Sequence, residues 1–292
     1  MINTPAAEVI VDEKLAGSLL REQHPDLVHL PISLLDTGWD NYIFQLGDDM
    51  LLRFPRRSIA VPLLHHEQKW LPQLTASLPI PIPAPIRIGK PAGTYPWPWS
   101  IIPFLAGNTA DQVAPAAHQA ERFGAFLKAL HQKAPADAPQ NELRGVPLQQ
   151  RAELVEQCIK NLESKTDLIS PAHRSVWEEA LAAPVYREAR WLHGDLHARN
   201  VIVKDGVING IIDWGDLTSG DVATDLAAVW MLFSSPLARA RVLETYGVAE
   251  ANMIRRAKGW AVFFWVILAE NGLEHDEQHW LMGARTLANL LT

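Results

Sequence analysis

The most constraining feature of this chain is a short β-hairpin inside a region whose other segments have helical patterns. Residues 201–212 contain two apolar runs on either side of an Asp-Gly pair, a pattern that predicts two strands joined by a tight turn. The polar segment H-G-D-L-H-A-R-N precedes the hairpin at residues 193–200, and D-W-G follows it at residues 213–215. Because a hairpin reverses the chain, we expect the two polar segments to meet.

That meeting would bring together the side chains of Asp195, Asn200 and Asp213. Two carboxylates and an amide are hard oxygen ligands of the kind that Mg²⁺ binds, together with water and phosphate oxygens. Phosphoryl transfer needs such a metal site and a further carboxylate that orients the attacking hydroxyl group. We therefore predict Asp195 as the catalytic base and Asn200 and Asp213 as metal ligands. Any one aspartate alone would be interpreted as a turn cap or a strand end, but the ordered set favours a site.

The two motifs resemble the catalytic and metal-binding loops of the aminoglycoside phosphotransferase family, relatives of the protein kinases. Protein kinases carry H-R-D-L-x-x-x-x-N and D-F-G at these places. The glycine after His193 and the shorter spacing to Asn200 resemble the small-molecule branch instead. The resemblance extends in order over about residues 34–233. It implies an α+β, bilobal, protein-kinase-like fold, with a nucleotide-binding N-lobe at residues 1–104 and a helical C-lobe at residues 105–292.

Local patterns along the chain agree with this division. Short β-rich runs occupy residues 28–104, interrupted by one helical pattern at residues 61–75. A proline-rich passage at residues 78–98 excludes helix there, and a short apolar strand is predicted at residues 99–104. From residue 115 onward the pattern is mainly helical apart from the hairpin. The patterns therefore predict a small sheet with one helix, followed by a mainly helical part.

The resemblance also implies roles for other residues. The β1–β2 loop would cover the phosphates of the nucleotide, a strand arginine would pair with a helix glutamate, and the end of the fifth strand would hold the nucleobase, with Phe104 as a backbone donor. The implied nucleotide-binding residues are Gly38, Trp39, Asn41, Arg53, Glu67, Ile102 and Phe104. Arginine replaces the lysine that is usual in the family, but its forked donors can bridge a carboxylate and phosphate oxygens. Its neighbours Arg56 and Arg57 follow a proline and are expected to face solvent. His193 and Asp225 are implied as structural supports of the catalytic loop.

Composition limits the class of protein. The 292 residues are 48% hydrophobic, enough for a substantial core, and the formal charge of −7 argues against non-specific nucleic-acid binding. The single cysteine, Cys158, excludes an intramolecular disulfide, and the first residues lack a secretory-signal pattern. We expect a cytoplasmic protein with no nucleic-acid or membrane partner, and the oligomeric state stays open.

The acceptor is predicted less directly. The family phosphorylates aminoglycosides, macrolides, choline and related metabolites, and the resemblance favours an aminoglycoside-type antibiotic and hence antibiotic resistance. Such a polycation needs an acidic site, which Glu270 and Glu274 would supply. A macrolide or amino-alcohol acceptor is the alternative, and the donor is either ATP or GTP with Mg²⁺. Two other classes are weighed: a metallophosphoesterase, because Gly194-Asp195-Leu196-His197 also fits G-D-x-H, and a nucleotide-binding pseudokinase.

Overall fold

The computed structural model describes residues 5–247, 250–275 and 277–292, and the chain forms two compact units. Among the described residues, the smaller unit comprises residues 5–76 and 81–106, and the larger unit comprises residues 77–80 and those from 107 onward. The division differs from a single boundary after residue 104 in two respects, of which the first is that the smaller unit ends at Ala106. The second is that four residues of the N-terminal third, Ser77–Ile80, belong to the larger unit.

The smaller unit is built on an antiparallel sheet of five strands, which confirms the sheet implied by the resemblance. The strand order is β1-β2-β3-β5-β4. The strands are β1 (Ile32–Thr37), β2 (Asn41–Leu46), β3 (Met50–Pro55), β4 (Arg87–Gly89) and β5 (Trp99–Pro103). The β2–β3 pairing runs without a break from Asn41 opposite Pro55 to Leu46 opposite Met50, so the turn at residues 47–49 sets which side chains share a face.

One face of this sheet forms the core of the smaller unit. Alternate residues of β2 are buried, as expected for a strand with one face against a core. Phe54 of β3 stacks on Trp99 of β5 with ring centroids 4.9 Å apart, and it meets Phe44 edge to face at 5.9 Å. Burying each such side chain contributes about 1.5–3 kcal/mol.

Two helices pack in the smaller unit, one more than the sequence patterns predict. Helix α1 (Glu13–Gln23) begins at Asp12, whose carboxylate accepts the Leu15 N–H at 2.8 Å, and its buried residues Leu19 and Leu20 join the sheet core. Helix α2 (Val61–Leu74) lies where a helix is predicted and buries Glu67.

The larger unit contains the predicted hairpin and most of the helices. Its strands are β6 (Asn108–Thr109), β7 (Arg190–Leu192), β8 (Val201–Lys204), β9 (Val207–Ile211) and β10 (Thr218–Gly220). Its helices are α3 (Ala120–Leu130), α4 (Ala152–Lys165), α5 (Pro171–Ala182), α6 (Ala223–Leu226), α7 (Ala228–Leu232), α8 (Pro236–Tyr246), α9 (Ala251–His275) and α10 (Glu277–Leu290). The β8–β9 hairpin is confirmed, and β6 adds a third strand to it.

The catalytic-loop segment lies between two of these pairings. Strand β7 pairs with β10 just before residue 193, and β8 begins directly after residue 200. The loop is therefore held at both ends by strands, and α6 follows β10 closely along the chain. In the part of the chain that the structure describes, every helix is too short or too polar to cross a membrane.

Candidate active site

The loop at residues 193–200 is anchored by Asp225, which lies on α6 and is fully buried. Its carboxylate accepts the backbone N–H groups of His193 at 2.7 Å and Gly194 at 2.9 Å, and the His131 ring lies 3.3 Å away. A buried carboxylate needs such partners because desolvation otherwise makes it costly. A residue that supports this loop, the role implied for Asp225, would need contacts of this kind.

Two residues of the site have left-handed backbone conformations. Gly194 has a φ of 88°, and a Cβ atom at this position would lie 2.3 Å from the carbonyl oxygen of Asp216. The glycine is therefore required by both conformation and space. Asp213 has a φ of 59°, which is uncommon for a residue with a side chain and is stored strain of the kind found at functional sites.

Asp195, the one carboxylate in residues 193–200, is closely surrounded by basic side chains. Arg144 donates from Nη2 to its Oδ1 at 2.7 Å, and Nε2 of His197 lies 3.3 Å from its Oδ2. Burial alone would raise the pKa of Asp195, but the charges of His197, Arg144 and His193 outweigh it and hold the pKa well below its usual range. The carboxylate is therefore ionised and can accept a hydrogen bond from a hydroxyl group.

Asp216 lies beside this group and shows the opposite effect. Burial and the nearby Asp195 carboxylate raise the pKa of Asp216, while Arg144 and Asn141 partly oppose the rise. Asn141 donates to Oδ1 of Asp216 at 2.8 Å. The sequence analysis did not identify Arg144, Asn141 or Asp216, because Arg144 lies 51 residues before Asp195 in a segment without a recognisable motif.

The hairpin returns the chain to the loop at residues 193–200, as predicted. The N–H of Ile212 donates to the carbonyl oxygen of Asn200 at 2.9 Å, and His193 Nε2 lies 2.9 Å from the carbonyl oxygen of Ile212. These two contacts place the backbone of Asp213 next to Asn200. His193 thus links the loop to the returning strand.

The chemistry of this group fits a hard divalent cation. The Asn200 amide nitrogen donates to the carbonyl oxygen of Asp195 at 2.8 Å, so the amide oxygen is the atom that can bind a metal. Asp213 is exposed and supplies a carboxylate. Among the described residues, no three or more His, Cys, Asp or Glu side chains are grouped as a metal site.

The smaller unit contains the pair implied for the phosphates. Nη1 of Arg53 donates to both carboxylate oxygens of Glu67, at 2.7 and 2.6 Å, and both side chains are largely buried. In the amide orientation that the hydrogen bonds favour, the side-chain oxygen of Asn41 accepts from Nη2 and Nε of Arg53 at 3.1 and 3.2 Å. One guanidinium group therefore joins α2, β3 and the end of the β1–β2 loop.

The expectation that Arg56 and Arg57 face solvent is wrong. Arg56 is only 7% exposed, donates to the Gly38 carbonyl oxygen at 2.9 Å and stacks on Tyr42. Arg57 pairs with Asp40 at 2.5 Å. The β1–β2 loop contains a single glycine, and these two arginines hold it. Trp39 of the same loop is 53% exposed, so its indole is accessible.

The end of β5 differs from expectation in one detail. The N–H of Phe104 donates to the Asp49 carbonyl oxygen at 2.8 Å, continuing the β3–β5 ladder. The backbone donor that was assigned to the nucleobase is therefore already used within the sheet. Ile102 is buried opposite Leu51 in the same ladder.

The acidic residues implied for the acceptor differ in their surroundings. Glu270 of α9 is half-buried and accepts a hydrogen bond from Asn161 of α4 at 2.8 Å. Burial and the hydrogen bond to Glu270 raise the pKa of the Cys158 thiol to about 12. Glu270 is thus part of a polar contact between two helices. The side chain of Glu274 lies outside the described residues.

Comparisons with known proteins also indicate a phosphotransferase. The model of the APH family, described as the phosphotransferase enzyme family, matches residues 31–260. No curated protein sequence matches the chain significantly. The chain is similar to the structure of the GDP complex of wild-type aminoglycoside 2'-phosphotransferase-IIIa, with 21% identity, a TM-score of 0.68 and coverage of 95% of this chain and 97% of that one.

Two macrolide enzymes are similar to a comparable degree. One is the apoenzyme of macrolide 2'-phosphotransferase MphH from Brachybacterium faecium, with 19% identity, a TM-score of 0.58 and coverage of 88% of this chain and 91% of that one. The other is a macrolide 2'-phosphotransferase type I, with 21% identity, a TM-score of 0.61 and coverage of 96% and 99%. At these identities the likeness shows the fold, and it confirms the kinase-like α+β architecture.

Proposed function

The chain belongs to the phosphotransferase enzyme family, and we propose that it transfers the γ-phosphoryl group of ATP or GTP to a hydroxyl group of a small antibiotic. It is a phosphotransferase with an alcohol group as acceptor. The observation that carries the proposal is the contact between the catalytic loop and the returning hairpin, in which Asn200 accepts the Ile212 N–H at 2.9 Å. That contact puts Asp195, Asn200 and Asp213 on neighbouring stretches of backbone.

In this proposal Asp195 orients the acceptor hydroxyl and accepts its proton. Its ionised carboxylate suits the first task, because an acceptor-only group aligns the hydroxyl toward the phosphorus atom. A weak base is adequate, since phosphoryl transfer has a loose transition state in which the hydroxyl loses its proton late.

Asn200 and Asp213 would hold Mg²⁺ through one amide and one carboxylate oxygen. Bound there, Mg²⁺ would neutralise charge on the triphosphate. The left-handed backbone of Asp213 (φ 59°) supports this assignment, because strained conformations are retained where function needs them.

The smaller unit would bind the nucleotide. Arg53, fixed by Glu67 and Asn41, would contact the phosphates, and the loop with Gly38 and Trp39 would cover them. The end of β5, with Ile102 and Phe104, would contact the base. The Phe104 N–H already donates to the Asp49 carbonyl oxygen. A hydrogen bond to the base would therefore involve a backbone carbonyl oxygen as acceptor or a donor from another residue.

We propose an aminoglycoside-type acceptor, supported by similar structures whose names include aminoglycoside phosphotransferase and complexes with kanamycin or gentamicin. A macrolide acceptor is the second candidate. It is supported by the macrolide phosphotransferases among the similar structures. It is also supported by Glu270, because its carboxylate already accepts a hydrogen bond from Asn161 and is less available to a cationic acceptor. Antibiotic resistance and a cytoplasmic location are part of the proposal and follow from the acceptor and the single cysteine.

The proposal is tested with a panel of aminoglycosides, macrolides and amino-alcohols, each assayed with ATP and with GTP in the presence of Mg²⁺. The Asp195→Ala variant is expected to lose phosphoryl transfer by at least about 10²-fold while it binds nucleotide as the wild type does. Transfer by Asp195→Ala at the wild-type rate would remove Asp195 as the base. Absence of transfer to every acceptor by the wild type would refute the antibiotic proposal.

A further inference from the structure

Arg144 is placed against the reacting carboxylate of the proposed site, although neither the motifs nor the family match assigns it a role. Its Nη2 donates to Oδ1 of Asp195 at 2.7 Å, and its Nε lies 3.8 Å from Oδ2 of Asp216. Its side chain is 17% exposed, so the pair is shielded from solvent. Charge-assisted bonds of this length and burial are stronger than exposed ion pairs.

The segment that carries Arg144 is anchored on both sides. The side-chain oxygen of Asn141 accepts the N–H groups of Leu143 and Arg144 at 2.8 and 3.1 Å, and the Asn141 amide donates to Asp216. On the other side, the Gly145 N–H donates to the Thr224 hydroxyl at 3.2 Å. The backbone of Arg144 is thus tied to the β9–β10 connection and to α6.

The guanidinium group is also held from its flat side. Its central carbon lies 5.3 Å from the ring centre of Phe263 and 5.0 Å from that of Phe264, both buried residues of α9. Arginine stacks on aromatic rings in this way, and the attraction is stronger where the contact is desolvated. The side chain is therefore placed before any substrate arrives.

This arrangement distinguishes the two oxygens of the Asp195 carboxylate. Oδ1 has the short bond to Arg144, whereas Oδ2 has longer contacts, 3.3 Å to His197 and 3.5 Å to the Asn200 amide. A carboxylate that is bound firmly at one oxygen cannot rotate freely about its χ2 angle. Oδ2 keeps a lone pair for a further hydrogen bond.

We propose that Arg144 is a positioning residue for phosphoryl transfer: by holding Oδ1 of Asp195, it directs Oδ2 toward the acceptor hydroxyl. The inference rests on the proposed function, in which Asp195 orients that hydroxyl. Arg144 acts through Asp195, and a displacement of about 1 Å in such a group is enough to cost about 10²-fold in rate.

The test compares Arg144→Ala, Arg144→Lys and wild type for turnover, for the KM of the acceptor and for nucleotide affinity. Arg144→Ala is expected to lower kcat about 10²-fold with an acceptor KM and a nucleotide Kd within about threefold of wild type. The kcat of Arg144→Lys should be about tenfold higher than that of Arg144→Ala, because lysine keeps the charge but lacks the forked donors and the stacking. In the Asp195→Asn background, Arg144→Ala should lower kcat by less than about threefold.

A control variant checks that the loss is specific to Arg144, and crystal structures check the orientation of the Asp195 carboxylate. Arg241→Ala removes an arginine from an exposed pair with Glu244 on α8 and should leave kcat unchanged. Crystal structures of Arg144→Ala and of Arg144→Lys should show the Asp195 carboxylate rotated in the alanine variant. An unrotated carboxylate, a wild-type kcat in Arg144→Ala, or an equal loss in the Asp195→Asn background would overturn the inference.

The same experiments separate this inference from the proposed function. If the wild type phosphorylates no acceptor in the panel, the antibiotic proposal fails, and nucleotide hydrolysis with water as acceptor replaces transfer as the measured rate. A loss of hydrolysis in Arg144→Ala together with a rotated carboxylate would still support positioning. If Arg144→Ala does not fold, Arg144→Lys provides the test. Wild-type kcat in Arg144→Lys, together with an Asp195 carboxylate that is displaced from its wild-type position, would refute the positioning role.

Discussion

The substitution Arg53→Lys would restore the residue that is usual in the family, and we expect it to impair the protein. A lysine ammonium can keep the ion pair with Glu67, whose oxygens lie 2.7 and 2.6 Å from Nη1 of Arg53. It cannot also reach the Asn41 oxygen, which accepts from Nη2 and Nε at 3.1 and 3.2 Å. Asn41 would lose its side-chain link through Arg53 to Glu67 of α2, while its backbone pairing with Pro55 of β3 would remain.

The expected magnitude follows from those two bonds. A hydrogen bond to a charged group contributes about 1.5–3 kcal/mol, and these two share one acceptor at moderate length. We therefore take the lower limit, about 1.5 kcal/mol, for the pair together. If this free energy holds the loop in its nucleotide-binding conformation, the Kd for nucleotide should rise roughly tenfold. The unfolding free energy should fall by a similar amount, because Asn41 belongs to β2.

Calorimetric titration with Mg²⁺-nucleotide and urea unfolding would measure both quantities. Arg87→Lys is the matched control, since Arg87 pairs with Asp26 on the surface of the same unit and should change stability by less than about 0.5 kcal/mol. Asn41→Ala should resemble Arg53→Lys, and the double variant should be no worse than either. Wild-type affinity and stability in Arg53→Lys, or additive losses in the double variant, would refute the reasoning.

Three further predictions concern the larger unit. Asp213→Ala should raise the Mg²⁺ concentration needed for half-maximal nucleotide binding by about tenfold or more, and an unchanged Mg²⁺ titration would contradict its metal role. Gly194→Ala should destabilise the protein by about 2–4 kcal/mol in urea unfolding, because the methyl group meets the Asp216 carbonyl oxygen at 2.3 Å and φ is 88°. Cys158, with a thiol pKa of about 12, should react with Ellman's reagent at pH 8 far more slowly in the native protein than in urea, and Glu270→Ala should accelerate the native reaction.

Features that depend on neighbouring residues in sequence were largely accessible from the sequence. The β8–β9 hairpin is specified by two apolar runs and an Asp-Gly turn, and the structure confirms it. Helix α1 also had a local signal, since Asp12 caps it and Leu15, Leu19 and Leu20 recur at helical spacing. The sequence analysis passed over that pattern, which is short and lies outside the motif-bearing region.

Features that depend on tertiary packing were not accessible. Arg144 reaches Asp195 only because Asn141 and Gly145 anchor its segment to residues about 75–80 positions later. The surroundings of Arg56 were misjudged because the preceding Pro55 suggested that the chain leaves the sheet. In the structure Pro55 is still paired with Asn41 at the end of β3, and the Arg56 side chain reaches the Gly38 carbonyl oxygen of the β1–β2 loop.

The assignment of Ser77–Ile80 to the larger unit affects how this chain can be divided experimentally. Arg122 of α3 donates from Nε and Nη2 to the Pro79 carbonyl oxygen at 3.2 and 3.0 Å, and from Nη1 to Ile208 of β9. The polypeptide consequently passes between the two units at residues 76–77, 80–81 and 106–107. A truncated gene that ends after the sheet would encode a peptide whose middle has lost its hydrogen-bonding partner, so co-expression of both fragments is the sounder route to a split protein.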